Sequence, residues 1–186
     1  MNRGLTIIYV GRGKGKTTAA MGLAVRALGS GFNVGILQFI KGEWPSGERD
    51  FFEVFSEMAV PKNKTLGRIE IKELGRGFVK ILGDKKPISI HRKAARDGLK
   101  EASKMLEGQK YDVVILDELL SAYEEKLIEL SDIEKIINSK PGNIHLIITG
   151  HRLPVSLKKK ADLITEMKMI KHPFYKGILA QRGIDY

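Results

Sequence analysis

Leu5-Thr6-Ile7-Ile8-Tyr9-Val10-Gly11-Arg12-Gly13-Lys14-Gly15-Lys16-Thr17-Thr18 is the stretch that decides the fold. An apolar run rich in β-branched residues passes directly into a turn of glycines and basic residues, and the helix-favouring Ala19-Ala20-Met21 follows at once. Strand, glycine turn and helix start in that succession form a cradle for phosphate. Glycines let backbone N–H groups turn inward, the helix N-terminus adds positive dipole, and a lysine reaches the charged oxygens. Gly11, Arg12, Gly13, Lys14, Gly15, Lys16, Thr17 and Thr18 are therefore candidate nucleotide-binding residues, with Thr17 placed to hold a magnesium ion. The usual pattern is G-x-x-x-x-G-K-[ST]. Here only three residues separate Gly11 from Gly15, so the loop is one residue short.

Outward from this loop, strand-like and helix-like runs alternate, the pattern of a parallel sheet with crossover helices. Strands are expected at Leu5 to Val10, Asn33 to Phe39, Ile69 to Leu74, Val113 to Asp117, Ile144 to Thr149 and Asp162 to Met169. Helices are expected at Lys16 to Leu28, Glu48 to Met58, Ile88 to Leu106, Leu127 to Asn138 and Val155 to Lys160. The strands are apolar on both alternating sets of positions, as in sheets covered on both faces. The expectation is an α/β fold with a mostly parallel sheet of about six strands in one domain over residues 1–186. Gly75 to Pro87 has the glycines and proline of an irregular loop, and loops of that length are commonly functional.

The chain carries 32 Lys and Arg against 22 Asp and Glu, a formal charge of +10 that attracts polyanions without choosing among nucleotides, nucleic acid and anionic cofactors. It has no cysteine, which excludes disulfides, thiolate metal sites and cysteine nucleophiles and fits a reducing compartment. No apolar run approaches the length of a membrane span, and no leader precedes the first strand, so a soluble cytoplasmic protein is expected. The four histidines show no metal-ligand spacing.

A second signal lies about a hundred residues after the loop, where Val113-Val114-Ile115-Leu116 ends in Asp117-Glu118. In an open α/β sheet ligands bind at the carboxyl ends of strands, so acids there can face a metal held by Thr17. Asp117 and Glu118 are the metal-side candidates. Gln38-Phe39-Ile40-Lys41-Gly42-Glu43-Trp44-Pro45-Ser46-Gly47-Glu48 is a glycine- and charge-rich exit from the second strand. Lys41 and Glu48 either touch nucleotide or pair in solvent, and Trp44 either stacks on a ligand or covers its own loop. Thr149-Gly150-His151-Arg152 follows the fifth strand, where Arg152 can pair with phosphate oxygens or stay solvated. The basic run at Lys158 to Lys160 comes without an aromatic-basic nucleic-acid motif, which makes nucleic acid the lesser reading.

Taken together, GRGKGKTTAAMGLAVRALGSG, VGILQFIKGEWPSGE, VVILDEL, ITGHR and KHPFYKGILAQRGIDY resemble the P-loop family of ATP:corrinoid adenosyltransferases over almost the whole chain. The QFIKG-WP-GE segment discriminates most, because generic P-loop NTPases lack it. The resemblance implies a RecA-like P-loop fold, a homodimer, and a reaction in which the Co(I) of a reduced corrinoid attacks the 5′ carbon of ATP and displaces triphosphate. ATP is then bound in reverse relative to ordinary P-loop enzymes. No protein nucleophile is required: the loop amides, Lys16 and a magnesium ion on Thr17 and Glu118 would neutralise the leaving triphosphate. The resemblance also assigns the corrinoid lower face to Gly77 and Phe78 and implies an outside reductant such as a flavoprotein. Relatives carry Gly-Phe-Thr-Trp where this chain reads Gly77-Phe78-Val79-Lys80, so a lysine stands in the tryptophan position.

Two other functions use the same residues. One is an ATP-hydrolysing enzyme acting on nucleic acid, with Glu118 activating water. The other is a nucleotide-binding regulatory module with little turnover.

Overall fold

The computed structural model of the chain describes residues 3–40, 42, 46–77 and 86–185. Within these, six strands form one sheet: β1 (Thr6–Val10), β2 (Val34–Gln38), β3 (Ile69–Glu73), β4 (Val113–Asp117), β5 (His145–Thr149) and β6 (Leu163–Glu166). The order is β3-β2-β4-β5-β1-β6, and every pairing is parallel. The helices are α1 (Lys16–Gly29), α2 (Gly47–Glu57), α3 (Ile88–Glu107), α4 (Leu119–Glu124), α5 (Leu130–Ser139) and α6 (Val155–Lys158), with a 3-10 turn at Pro173–Lys176. Among the described residues no helix is long and apolar enough to cross a membrane.

The double-sided apolar pattern has a direct structural outcome. Val114, Leu116, Leu146 and Ile148 pack in one core with Ala102, Leu106 and Ile133 of α3 and α5. Their alternate neighbours Val113, Ile115 and Ile147 pack on the opposite face with Ala20, Ala24 and Phe52 of α1 and α2. Parallel strands buried on both faces need this layered cover, and their apolar burial is the main stabilising term of the fold.

Register then builds the functional edge. Gln38 of β2 is level with Asp117 of β4, Leu116 with Ile148 of β5, and Thr149 of β5 with Tyr9 of β1. The carboxyl ends of four strands therefore present Gln38, Asp117, Thr149 and the loop after Val10 side by side. β5 is inserted between the strand that carries the glycine loop and the strand that carries the acids.

Several boundaries differ from the sequence expectation. The helix expected from Leu127 begins at Leu130, because Glu129 and Asp132 form a reciprocal capping box that fixes its start. The sixth strand is Leu163–Glu166 rather than Asp162 to Met169, and Leu163 and Ile164 on it are exposed. α4 was not foreseen. It follows Glu118, whose φ of 60° turns the chain sharply out of β4, so a helix of six residues fits behind the acid pair.

Candidate nucleotide site at the carboxyl edge of the sheet

The loop between β1 and α1 is anchored at both of its first glycines. The Gly11 amide donates to the carbonyl of His151 at 3.1 Å, and the Gly13 amide donates to the carbonyl of Met167 at 2.8 Å. Gly11 has φ +113°, and a Cβ on it would sit 2.3 Å from the Met167 carbonyl oxygen; only glycine fits both conditions. These two amides fasten the loop to the segments after β5 and β6, and are not the ones offered to phosphate. That offer falls to the second half of the loop, where the N–H groups of Lys16, Thr17 and Thr18 open α1 and have no partner inside the helix. Gly15, at φ +101°, turns the chain into that helix.

Lys16 is buried, and its amine donates to the Gly13 carbonyl at 2.8 Å, folding the side chain back over the loop. Burial holds its pKa below the ordinary lysine value, while the negative fields of Glu118 and Asp117 oppose that drop. Thr17 donates to Asp117 at 3.0 Å and 3.2 Å from its two carboxylate oxygens. Asp117 has no exposed surface and also accepts from Gln38 Nε2 at 3.1 Å and from Thr149 Oγ1 at 2.7 Å. A buried carboxylate held by three neighbouring side chains is fixed in place, and it fixes the Thr17 hydroxyl in turn. Thr149 works twice, because its hydroxyl also accepts from the Glu118 amide at 2.8 Å. That bond secures the left-handed turn at Glu118, a conformation costly for a residue with a Cβ.

Lys16, Thr17 and Glu118 line a cleft of about 690 Å³, with Asp117, Gln38 and Thr149 buried behind them. One wall is Lys14 to Thr18 with Met21, Gly22 and Val25 of α1; another is Gly47, Glu48, Phe51 and Phe52 of α2; Glu118 closes the floor. The third wall is the C-terminal Gly183, Ile184 and Asp185, and Asp185 forms an ion pair with Lys14. The cleft thus joins hard oxygen donors and buried positive charge to half-exposed apolar surface at Val25 and Phe51. Such a combination suits a phosphorylated ligand with an organic end.

Not every expected residue falls here. Arg152 is two-thirds exposed, pairs with Glu124 at 3.1 Å and faces a neighbouring cleft. His151 stands nearer the phosphate loop. Burial together with the fields of Lys16 and Arg12 keeps its pKa below the ordinary histidine value, against the opposing field of Glu124. Glu48 lies in the cleft wall and accepts from Ser46 Oγ at 3.0 Å. Gly77 is described, with φ +97°, whereas Lys41, Trp44 and Phe78 lie outside the described residues. Three participants were missed: Gln38, Thr149 and Asp185. The available signal for the first two was a polar residue at the last position of an apolar strand.

A magnesium site is compatible with this donor set. Magnesium prefers oxygen ligands, keeps several waters and takes only one or two protein groups beside substrate phosphates. Among the described residues no group of three His, Cys, Asp or Glu side chains is gathered for a metal, and a site of that kind needs none.

The fold and these residues have counterparts in known proteins. The chain resembles the KaiC-like protein PH0186 from Pyrococcus horikoshii OT3 with a TM-score of 0.55 at 15% identity, covering 92% of this chain and 76% of that one. It resembles the flagellar accessory protein FlaH from Methanocaldococcus jannaschii with a TM-score of 0.52 at 16% identity, covering 89% and 72%. At such identities the likeness concerns the fold, which is RecA-like with a P-loop. In sequence, the chain is 36% identical over 184 residues to a corrinoid adenosyltransferase of Escherichia coli strain K12, covering 99% of this chain and 86% of the relative. It is 35% identical to the corrinoid adenosyltransferase CobA of Salmonella typhimurium strain LT2 over the same shares. The family model described as ATP:corrinoid adenosyltransferase BtuR/CobO/CobP matches residues 2–186, and the chain belongs to that family.

Proposed function

We propose that the protein transfers the 5′-deoxyadenosyl group of ATP to the Co(I) centre of a reduced corrinoid and releases intact triphosphate. The observation that carries this reading is the family membership across the whole described fold, combined with a cleft lined by buried Lys16 and by Thr17, whose hydroxyl is held from behind by buried Asp117. In the reaction, the cobalt electron pair forms the new Co–C bond while the bond between C5′ and the triphosphate oxygen breaks. The negative charge then grows on the leaving oxygen. The protein's part is to hold that leaving group and offset its charge. Lys16 supplies a nearby ammonium, the first amides of α1 supply oriented dipoles, and together such groups lower a barrier of this type by several kcal/mol.

Magnesium would be held by the Thr17 hydroxyl with Glu118 and Asp117, and when bound it supplies further charge neutralisation on the triphosphate. Asp117 acts on that arrangement through its bonds to Thr17, Gln38 and Thr149. Gly11, Arg12, Gly13, Lys14, Gly15 and Thr18 complete the nucleotide side, with Arg12, Lys41 and Arg152 contributing positive field. Gly77 and Phe78 are the corrinoid side. A cytoplasmic homodimer supplied with electrons by a flavoprotein completes the reading.

The test is to supply ATP, magnesium and a chemically reduced corrinoid and to identify both products. Triphosphate released only in the presence of corrinoid, with a light-sensitive Co–C bond, is the expected result. Orthophosphate released without corrinoid and stimulated by nucleic acid would establish the hydrolytic reading in its place.

A further inference from the structure

A second cleft of about 800 Å³ opens on the same edge of the sheet, beyond β5. Its walls are the first turns of α3, the connection from α4 to α5, and the residues just after β5. Arg92 and Arg96 sit one turn apart on α3, and Lys126 faces them from the α4–α5 connection. It adjoins the nucleotide cleft through Glu124 and His151. Glu124 pairs with Arg152 on this side, its other oxygen lies 3.7 Å from His151 Nδ1, and the His151 ring feels the fields of Lys16 and Arg12.

The charges in this cleft are unevenly engaged. Its acids already have work: Glu129 and Asp132 cap α5 through each other's backbone amides, and Glu124 answers Arg152. The cations have less. Arg92 lines the cleft and donates only its Nε, to the Lys126 carbonyl at 3.3 Å, among the described residues. Arg96 and Lys126 have no side-chain ion pair or hydrogen bond among the described residues. Three cationic side chains with open donor capacity around one concavity make a receptor for anions, and arginine favours planar carboxylates through paired N–H bonds.

What anion this is follows from chemistry, given the proposed reaction on which this inference rests. The triphosphate belongs to the P-loop, and the acceptor is a corrin ring whose rim bears carboxylic side chains, free or amidated. We infer that the cleft bounded by Arg92, Arg96 and Lys126 receives the rim of the acceptor corrinoid and selects free carboxylates over carboxamides. Gly77 and Phe78, which the resemblance assigns to the corrinoid, precede α3 in the chain, and Arg92 lies in the second turn of that helix. The two clefts thus divide the substrates: phosphate on one side of His151, carboxylate rim on the other.

The experiment uses the full-length protein with ATP and magnesium present. Spectral titration of a Co(II) corrinoid bearing free rim carboxylates is compared with that of its fully amidated counterpart. Wild type is expected to bind the acid form at least about tenfold more tightly, since a hydrogen bond to a charged group is worth about that ratio. Arg96→Gln and Lys126→Gln, both at exposed positions, should each reduce the preference about fivefold at an unchanged melting temperature. Equal affinity of wild type for the two forms, or an unchanged ratio in both variants, overturns the inference, as does failure to bind either. Adenosylation of each form, run in parallel, separates the two claims. Preference without adenosyl transfer removes the proposed function and leaves the carboxylate cleft standing, while transfer without preference removes the cleft alone.

Discussion

The two clefts on the carboxyl edge are built from opposite materials. The nucleotide cleft rests on groups locked by strand register: Asp117 is fully buried, Lys16 is nearly so, and the loop amides are tied to β5 and to the chain after β6. The cleft beyond β5 presents exposed arginines of α3 and the exposed Lys126 of the α4–α5 connection, over a base that includes the core residues Leu127 and Ile128. The difference teaches where each part of a group transfer places its demand. A leaving group that gains charge needs donors fixed in advance, because reorganisation during the reaction raises the barrier. An acceptor with a variable rim is better met by long side chains that adjust.

The contrast can be broken at its rigid end first. Lys16→Ala should lower the adenosyl-transfer rate by about a hundredfold or more, read in a single turnover, because one preorganised donor at developing charge is worth about that much. Asp117→Ala should be comparable in rate and should also destabilise the fold by about 3 kcal/mol in urea melts, since Thr17, Gln38 and Thr149 would lose a buried partner together. An effect of tenfold or less on the rate for both would show that the rigid cleft is not where the triphosphate is held.

Gly11→Ala comes next. The new methyl would collide with the Met167 carbonyl in a backbone conformation disfavoured for alanine, and a loss of about 1–3 kcal/mol in thermal or chemical unfolding is expected. Thr149→Val keeps the shape and removes one hydroxyl that serves both Asp117 and Glu118. It should cost about 1–2 kcal/mol of stability and reduce transfer, with magnesium dependence shifted to higher concentration if Glu118 moves.

A pH series sharpens the comparison without mutation. Lys16 is charged below its pKa and neutral above it, and burial has lowered that pKa. Affinity for ATP should therefore be highest at the acidic end of the lysine's titration and fall as pH rises, starting below the ordinary lysine range. Calorimetry at several pH values checks this, and Lys16→Arg should move the fall to higher pH. Arg152→Gln is the smallest change expected. Its side chain is exposed and paired with Glu124, so ATP affinity should alter by less than about threefold.

What was legible in the sequence was local. The β1–loop–α1 unit and the acid-ended β4 are contiguous strings whose spacing states their geometry, and the alternating apolar runs specified a parallel sheet covered on both faces. The rest of the site depends on lateral register, which one string does not display. Thr149 supports Asp117 because β5 lies beside β4, and Gln38 does so because β2 lies on the other side. Asp185 reaches Lys14 from the far end of the chain. The direction of the loop amides was also hidden: glycines at 11 and 13 signalled a tight turn correctly, yet their N–H groups bind protein carbonyls. Arg152 had the right residue type on the right edge, and Glu124 of α4, a helix the sequence did not announce, turns it to the neighbouring cleft.

The central claim is that the buried lysine and acid pair hold a leaving triphosphate rather than a phosphate undergoing hydrolysis. The most direct measurement is a single-turnover reaction of enzyme, magnesium, ATP labelled in the γ-phosphate and Co(I) corrinoid, with the phosphorus products resolved. The account predicts that label appears as intact triphosphate, in step with Co–C bond formation and only when corrinoid is present. Label appearing as orthophosphate at the same rate with or without corrinoid would contradict it.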